Sequence, residues 1–357
     1  MKAAVWHEGA SALSIENIAD PEPITGSAVI AVEAGFVTGA LVQRMSERPS
    51  MIFPPFPFVP GMDTVGRVTA VADDVVGLAV GERVYCDHFY GSHGMATVAD
   101  RGFLGSFGID PGCSANMARW GNGNMAEKLM LPAECMTPVG AAGDVASPAL
   151  LCRMGWYGTA YGGFLNAGLA PGETVIINGA TGMVGASGVL LALAMGATRV
   201  VALGRRRAIL DQLEAVSPGR VVGVVLTGGD GDSAAVAEAA GGGGDVLLDA
   251  VGTGSDPTSS LAAIAALGPG GRAALVGGGL SGPMALEYGE LMYRQISVIG
   301  SLWYPREGAA AMLDMVAAGT LDVSATEPIV FGLDDANEAA RRAYESGLGL
   351  QHVVISP

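Results

Sequence analysis

The chain has 357 residues, which at roughly 150 per domain predicts about two domains with room for sizeable cores. Half of the residues are hydrophobic and 15% are charged, which excludes an intrinsically disordered chain. The 19 basic residues stand against 35 acidic ones, a net charge of −16, which argues against nucleic acid or anionic membrane as a partner.

From Met1 to about Ala146 the sequence reads as short strands: Lys2–Trp6, Leu13–Ile18, Ala28–Phe36, Val65–Val71, Arg83–Cys86 and Glu127–Leu131. Pro21-Glu22-Pro23, Pro54-Pro55 and Pro60-Gly61 punctuate them, a texture that predicts an antiparallel, barrel-like domain. From about Pro148 the rhythm becomes strand then helix. The apolar runs Thr174–Asn178, Arg199–Leu203, Val221–Leu226, Asp245–Val251 and Arg272–Val276 read as buried parallel strands. Helix-length stretches Met183–Met195, Arg205–Val216, Ser233–Ala240 and Ser259–Leu267 separate them, which predicts a doubly wound α/β sheet. Ser297–Trp303 reads as an edge strand of that sheet. A helix (Glu307–Ala318), a strand (Pro328–Leu333), a helix (Asp335–Ser346) and a strand (His352–Ser356) complete the pattern.

Cys86, Cys113, Cys135 and Cys152 form no C-x-x-C pair and read as buried thiols. The N-terminus carries charge where a signal peptide needs an apolar core, and the longest apolar run, Gly185 to Ala197, is too short to span a bilayer. The expectation is a soluble, cytoplasmic protein.

In Thr174-Val-Ile-Ile-Asn178-Gly179-Ala180-Thr181-Gly182-Met183-Val184-Gly185, a strand runs through a glycine turn into a helix. Gly179, Gly182 and Gly185 let the backbone turn tightly and approach a pyrophosphate at the helix N-terminus, which predicts dinucleotide binding. An NAD site places Asp or Glu at the end of the second strand; here that strand runs into Gly204-Arg205-Arg206-Arg207. No carboxylate repels a 2′-phosphate and guanidiniums are available to pair with one, so the expected cofactor is NADPH, with Arg205 and Arg206 on the phosphate. The competing reading makes these arginines a solvated first helical turn, against the sign of the helix dipole.

At this point the residues resemble the medium-chain dehydrogenase/reductase superfamily, end to end. The matching stretches include Met1-Lys2-Ala3-Ala4-Val5, Pro60-Gly61-Met62-Asp63-Thr64-Val65-Gly66-Arg67-Val68 and Gly81-Glu82-Arg83-Val84. Gly123-Asn124-Met125-Ala126-Glu127, Gly172-Glu173-Thr174-Val175, the glycine loop and Leu248-Asp249-Ala250-Val251-Gly252 follow. The resemblance implies a GroES-like catalytic domain over 1–147 and 304–357 and a Rossmann domain over 148–303. It also implies a homodimer paired through the Ser297–Trp303 strand. The cofactor contacts it implies are Thr159, Gly179, Thr181, Gly182, Met183, Val184, Gly204, Val251, Gly277 and Leu302.

Zinc alcohol dehydrogenases of this superfamily hold their catalytic metal at positions that fall on Val37, Met62 and Gly155. Neither Val nor Gly has a donor and a lone thioether is a poor zinc ligand. The segment from Cys86 to Asn122 has the length of the structural-zinc lobe but only two cysteines. No zinc is expected at either site. Gly61-Met62-Asp63 resembles the motif of zinc-free quinone and enoyl reductases, whereas the long lobe resembles the alcohol dehydrogenase branch.

Without a Lewis acid, another group must handle charge and proton. Asp63 is one candidate acid, and a strand-end carboxylate satisfied by backbone donors is its competing reading. Tyr157, which the resemblance puts near the nicotinamide, is the other, against a role in packing. Val37, Met62, Tyr90, Trp120, Trp156 and Trp303 would line an apolar pocket for a small-molecule substrate, although each is also a core residue type. His88 and His93 lie in the former metal lobe and read as packing or surface residues. Asp73-Asp74 and Asp334-Asp335 read as turns or caps. The expectation is a zinc-independent, NADPH-dependent reductase of a polarised double bond. A conjugated C=C comes first, C=O or C=N second, and a non-catalytic cofactor-binding sensor or scaffold is the rival from another class.

Overall fold

A computed structural model describes residues 1–41, 45, 51–91, 99–252, 254–278, 280–344 and 348–357. The chain divides into two compact units, Met1–Gly155 with Thr326–Ser346 and Gln351–Pro357, and Trp156–Ala325 with Gly347–Leu350.

In the first unit, β1 (Lys2–Val5) pairs antiparallel with β2 (Ser14–Asn17). The main sheet is built on β3 (Ser27–Phe36) and β4 (Met62–Val71), both apolar enough to be buried over most of their length. β5 (Arg83–Cys86) continues it on the β4 side. Three two-residue strands, β6 (Phe89–Tyr90), β7 (Gly102–Phe103) and β8 (Phe107–Gly108), form a small separate sheet. β9 (Lys128–Pro132) pairs with β3 and β10 (Met136–Pro138) with β5. The sheet is completed by strands from far along the chain, β17 (Glu327–Phe331) and β18 (Gln351–Ile355), giving the order β10-β5-β4-β3-β18-β17. β17 and β18 run parallel, joined through the helix Ala336–Tyr344, so the sheet is mixed where the turn pattern predicted antiparallel pairing throughout. The β3–β4 ladder slips register three times, the last between Gly35 and Phe36 opposite Met62. Such irregularities bend a strand and re-aim the side chains beyond them.

In the second unit, β11 (Thr174–Asn178), β12 (Arg199–Gly204), β13 (Val221–Val225), β14 (Gly244–Asp249), β15 (Leu267–Leu275) and β16 (Ser297–Gly300) form one parallel sheet. Its order is β13-β12-β11-β14-β15-β16. Counted within the unit this is 3-2-1-4-5-6, the doubly wound arrangement whose switch point lies between the first and fourth strands. Ile176, Val201, Leu203, Leu247 and Ala273 from four strands pack with Val236 and Ile264 from two of the covering helices. The edge strand stops at Gly300, short of the expected Trp303.

A helix over Met154–Asn166 went unrecognised in the sequence. It carries Gly155, Gly158, Gly162 and Gly163, which weaken helix propensity by up to about 1 kcal/mol each relative to Ala. Packing explains three of them. A Cβ would stand 1.9 Å from the Tyr304 ring at Gly158, 2.0 Å from the Trp303 carbonyl at Gly162 and 2.6 Å from Leu248 at Gly163. Residues 304–325 are grouped with the second unit in this division. Among the described residues no helix is long and apolar enough to cross a membrane.

Candidate active site

The glycine turn of the second unit is shaped by close approach of backbone to backbone. Gly179 follows β11 with φ +77°, and a Cβ there would sit 2.9 Å from the Ala250 carbonyl at the end of β14. At Gly185 a Cβ would fall 2.2 Å from the Gly179 carbonyl, so only glycine lets the helix Met183–Ala194 start this close to the turn. Gly277 lies against Val251 in the same way, at 2.2 Å from its carbonyl. Gly182 is the extended residue before the helix, whose first amides lack intrahelical partners and carry the positive end of the dipole. An anion is favoured there.

Two polar side chains overlooked in the sequence tie these strand ends together. Asn178 donates to Asp249 Oδ1 at 3.1 Å, and the Ala250 amide donates to the Asn178 carbonyl at 3.0 Å. The Asp249 carbonyl accepts from the Val276 and Gly277 amides at 2.9 and 3.0 Å. Burial holds the Asp249 carboxyl above the usual carboxylate range. The legible signal was a polar residue closing each of the apolar runs Val175–Ile177 and Val246–Leu248.

The three arginines after Gly204 have different fates. Arg207 is engaged by Asp211, Glu214 and the Gly223 carbonyl. Arg206 donates to the Thr181 carbonyl at 3.1 Å. Burial, with the Arg205 charge beside it, pushes its guanidinium down from the usual range. Arg205 is exposed and, among the described residues, makes no hydrogen bond or ion pair. Gly204 itself would clash with Thr181 if it carried a Cβ, so the strand end, Thr181 and Arg206 form one patch.

The remaining predicted residues of the second unit divide by burial. Thr159 is buried and Tyr157 is fully so, while Trp156, Met183, Val184 and Val251 are half-buried. Trp303 stacks on Tyr304 with centroids 5.1 Å apart, and Leu302 is exposed.

In the first unit, Val37, Met62 and Gly155 offer at most one thioether. Among the described residues no three His, Cys, Asp or Glu side chains are grouped to hold a metal. The position also fails sterically, because a Cβ on Gly155 would stand 2.3–2.5 Å from the Asp63 carboxyl. The residues present do not fit a catalytic zinc.

Asp63 is 1% exposed and sits at φ +52°, a left-handed conformation that costs a non-glycine residue about 1 kcal/mol or more. Asn124 holds it there, donating to the carbonyls of Phe36 (3.1 Å), Met62 and Asp63 (3.4 Å) and so clamping the ends of β3 and β4 together. Tyr85 donates its hydroxyl to Asp63 Oδ1 at 2.8 Å, while Oδ2 has no hydrogen-bond partner among the described residues. Burial, then the nearby Asp87 charge, raises the Asp63 carboxyl well above the usual range, against the opposing pull of Tyr85. Burial and the Asp63 charge likewise push the neighbouring Cys152 thiol up. Asn124, Tyr85 and Gly155 were not singled out for this role in the sequence, because nothing local marks them as neighbours of Asp63.

Trp120 packs in the core of the first unit with Cys86, Cys113, Leu104 and Met117, and Tyr90 packs against the same cluster. His88 is buried: Nδ1 donates to the Leu104 carbonyl at 2.9 Å and Nε2 pairs with the Thr64 hydroxyl at 3.0 Å. Its pKa is pushed down to about 4 by burial, so it is a neutral structural bridge. His93 lies outside the described residues.

Residues 25–141 match the family model described as "alcohol dehydrogenase GroES-like domain", and residues 184–318 match "zinc-binding dehydrogenase". An acryloyl-coenzyme A reductase of Metallosphaera sedula is 27% identical over 93% of this chain and 92% of its own length. An alcohol dehydrogenase of Moraxella sp. is 31% identical over 55% of this chain, and the match spans 56% of that relative. The crystal structure of 2R,3R-butanediol dehydrogenase from Bacillus subtilis superposes over 100% of this chain and 99% of its own, with TM-score 0.83 and 21% identity.

Proposed function

Because the chain belongs to the medium-chain dehydrogenase/reductase superfamily, as an alcohol dehydrogenase-like oxidoreductase, we propose that it is a zinc-independent reductase using NADPH. Its substrate is a mostly apolar small molecule with a polarised double bond, a conjugated C=C first. Two observations together carry this reading: Arg205 is exposed and makes no hydrogen bond or ion pair among the described residues, and Val37, Met62 and Gly155 are poor in metal donors. Bound NADPH supplies the hydride. Gly179, Gly182 and Gly185 let the turn close on its own backbone, so that the helix N-terminus would hold its pyrophosphate, and Arg205 and Arg206 would pair with its 2′-phosphate. Tyr157 or Asp63 handles the proton. The acryloyl-coenzyme A reductase relative supports a conjugated acceptor, and the alcohol dehydrogenase relatives keep carbonyl or imine reduction as the second reading.

The test is oxidation of NADPH and NADH by chelator-treated protein, against quinones, enones, enoyl thioesters, aldehydes and cyclic imines. Turnover that survives chelation and prefers NADPH is the expected result. Activity that vanishes with chelator and returns with zinc overturns zinc-independence. Cofactor binding without turnover anywhere on the panel favours the sensor or scaffold.

The second unit also supports a homodimer. β16 is an edge strand, and the helix before it, Tyr288–Arg294, exposes Tyr288, Met292 and Tyr293. Light scattering is expected to give twice the chain mass; the mass of a single chain rejects this assembly.

A further inference from the structure

Resting on the reductase reading above, we propose that Asp63 is a neutral carboxylic acid whose Oδ2 hydroxyl donates first a hydrogen bond and then a proton to a substrate carbonyl oxygen. It stands in the space that Gly155 leaves by having no side chain.

Four observations converge on the same two atoms. Tyr85 donates to Oδ1, which makes Oδ1 the acceptor and leaves Oδ2 to carry the acid proton. Oδ2 is buried and has no hydrogen-bond partner among the described residues, and a native structure seldom retains a buried donor with nothing to meet it. The backbone of Asp63 is held in a left-handed conformation by the Asn124 clamp on the ends of β3 and β4. Strain of that kind clusters at functional sites. Gly155 provides the room, since a Cβ would lie 2.4 Å from Oδ2 and displace the carboxyl.

The partner of an O–H is a lone pair, so the substrate presents an oxygen acceptor: a ketone, an enone or an enoyl thioester. As hydride arrives at carbon, the π-electron pair moves to oxygen. The Oδ2–H bond breaks and a new O–H bond forms on the substrate. For a ketone this completes the alcohol; for an enone it gives the enol, which relaxes to the saturated ketone. Asp63 is left as a carboxylate, supported by the Tyr85 hydroxyl and repelled by Asp87, and one solvent proton restores the acid.

The experiment compares full-length wild type, Asp63→Asn and Tyr85→Phe by infrared spectroscopy at pH 7, with 2-cyclohexenone bound beside oxidised cofactor as the probe. The wild type is expected to show a carboxylic-acid C=O band that Asp63→Asn lacks and that moves in Tyr85→Phe, which keeps the acid itself. The carbonyl band of the bound enone is expected to shift downward less in Asp63→Asn. Where the enone is turned over, Asp63→Asn lowers kcat/KM about 10²–10⁴-fold, the range of general acid catalysis, with cofactor affinity within about twofold. Absence of an acid band sensitive to residue 63 or 85, an enone carbonyl indifferent to both substitutions, or kcat/KM within about threefold of wild type overturns the assignment. Failure of the whole acceptor panel with band and shift intact overturns the reductase reading, and with it the proton transfer, while the neutral acid and its hydrogen bond to a carbonyl oxygen stand.

Discussion

The two chemically informative regions of this molecule are built on opposite principles. The glycine turn of the second unit is made of missing side chains, with Gly179, Gly185 and Gly277 each lying against another residue's backbone. The Asp63 site of the first unit is made of buried polar atoms, with an acid, a phenol and an amide packed at the ends of β3 and β4. A site defined by local backbone shape announces itself in a short stretch of sequence. One assembled from Asp63, Tyr85, Asn124 and Gly155 does not, because its members are scattered over some ninety positions.

The largest expected effect tests whether the first kind of site depends on vacancy alone. Gly185→Val drives a branched side chain into the Gly179 carbonyl. It should weaken NADPH and NADH alike by about 100-fold or more, roughly 3 kcal/mol, in fluorescence titrations. Unchanged affinity in a folded variant would mean that the turn is not the cofactor cradle.

The next effect separates shape from charge within that site. Replacing Arg205 and Arg206 with Ser should raise the NADPH Kd about 100-fold, as charge-assisted bonds of about 1.5–3 kcal/mol are lost, while NADH binding stays within about twofold. Arg207→Ser is the control, because Arg207 is already engaged by Asp211 and Glu214 and should leave the ratio unchanged. Equal loss for both cofactors rejects the 2′-phosphate assignment.

The last effect, on stability and not on cofactor binding, concerns the polar interior of the first unit. His88 and His352 are pushed down to about 4 and about 3, both by burial first, so the unfolded chain takes up their protons before the folded one. Their contribution is fully present above the unfolded value of 6.5 and is lost as pH falls towards 4 and then 3. For His88 that is about 3 kcal/mol at most, taking 1.36 kcal/mol per unit. Chemical unfolding between pH 7 and pH 4 should show the decline, and His88→Gln should flatten part of it. A flat profile in the wild type would show that these histidines protonate without unfolding.

Most of the sheet strands were legible. β11 coincides with its predicted range and several others fall within a residue or two, because buried strands are continuous apolar runs closed by glycine or polar residues. The helix Met154–Asn166 was hidden for the opposite reason: its glycines are dictated by Tyr304, Trp303 and Leu248, distant residues that a local reading does not see. Trp120 and Tyr90 illustrate a related limit. Aromatic residues that suit a pocket suit a core equally well, and here both pack around Met117 and Cys113.

The path of the chain through the first unit carries a temporal consequence. Its β3 edge is covered by β18, and β18 in turn carries β17, both following the entire parallel sheet in sequence. During synthesis the parallel sheet is therefore complete on the ribosome before β3 meets its last neighbour. The segment bearing Phe36 and Val37 waits with one flank unpaired, although Tyr85, Asn124 and Gly155, the neighbours of Asp63, have all been made before β11. A nascent chain of this protein finishes its parallel sheet before the sheet of its first unit gains its last two strands.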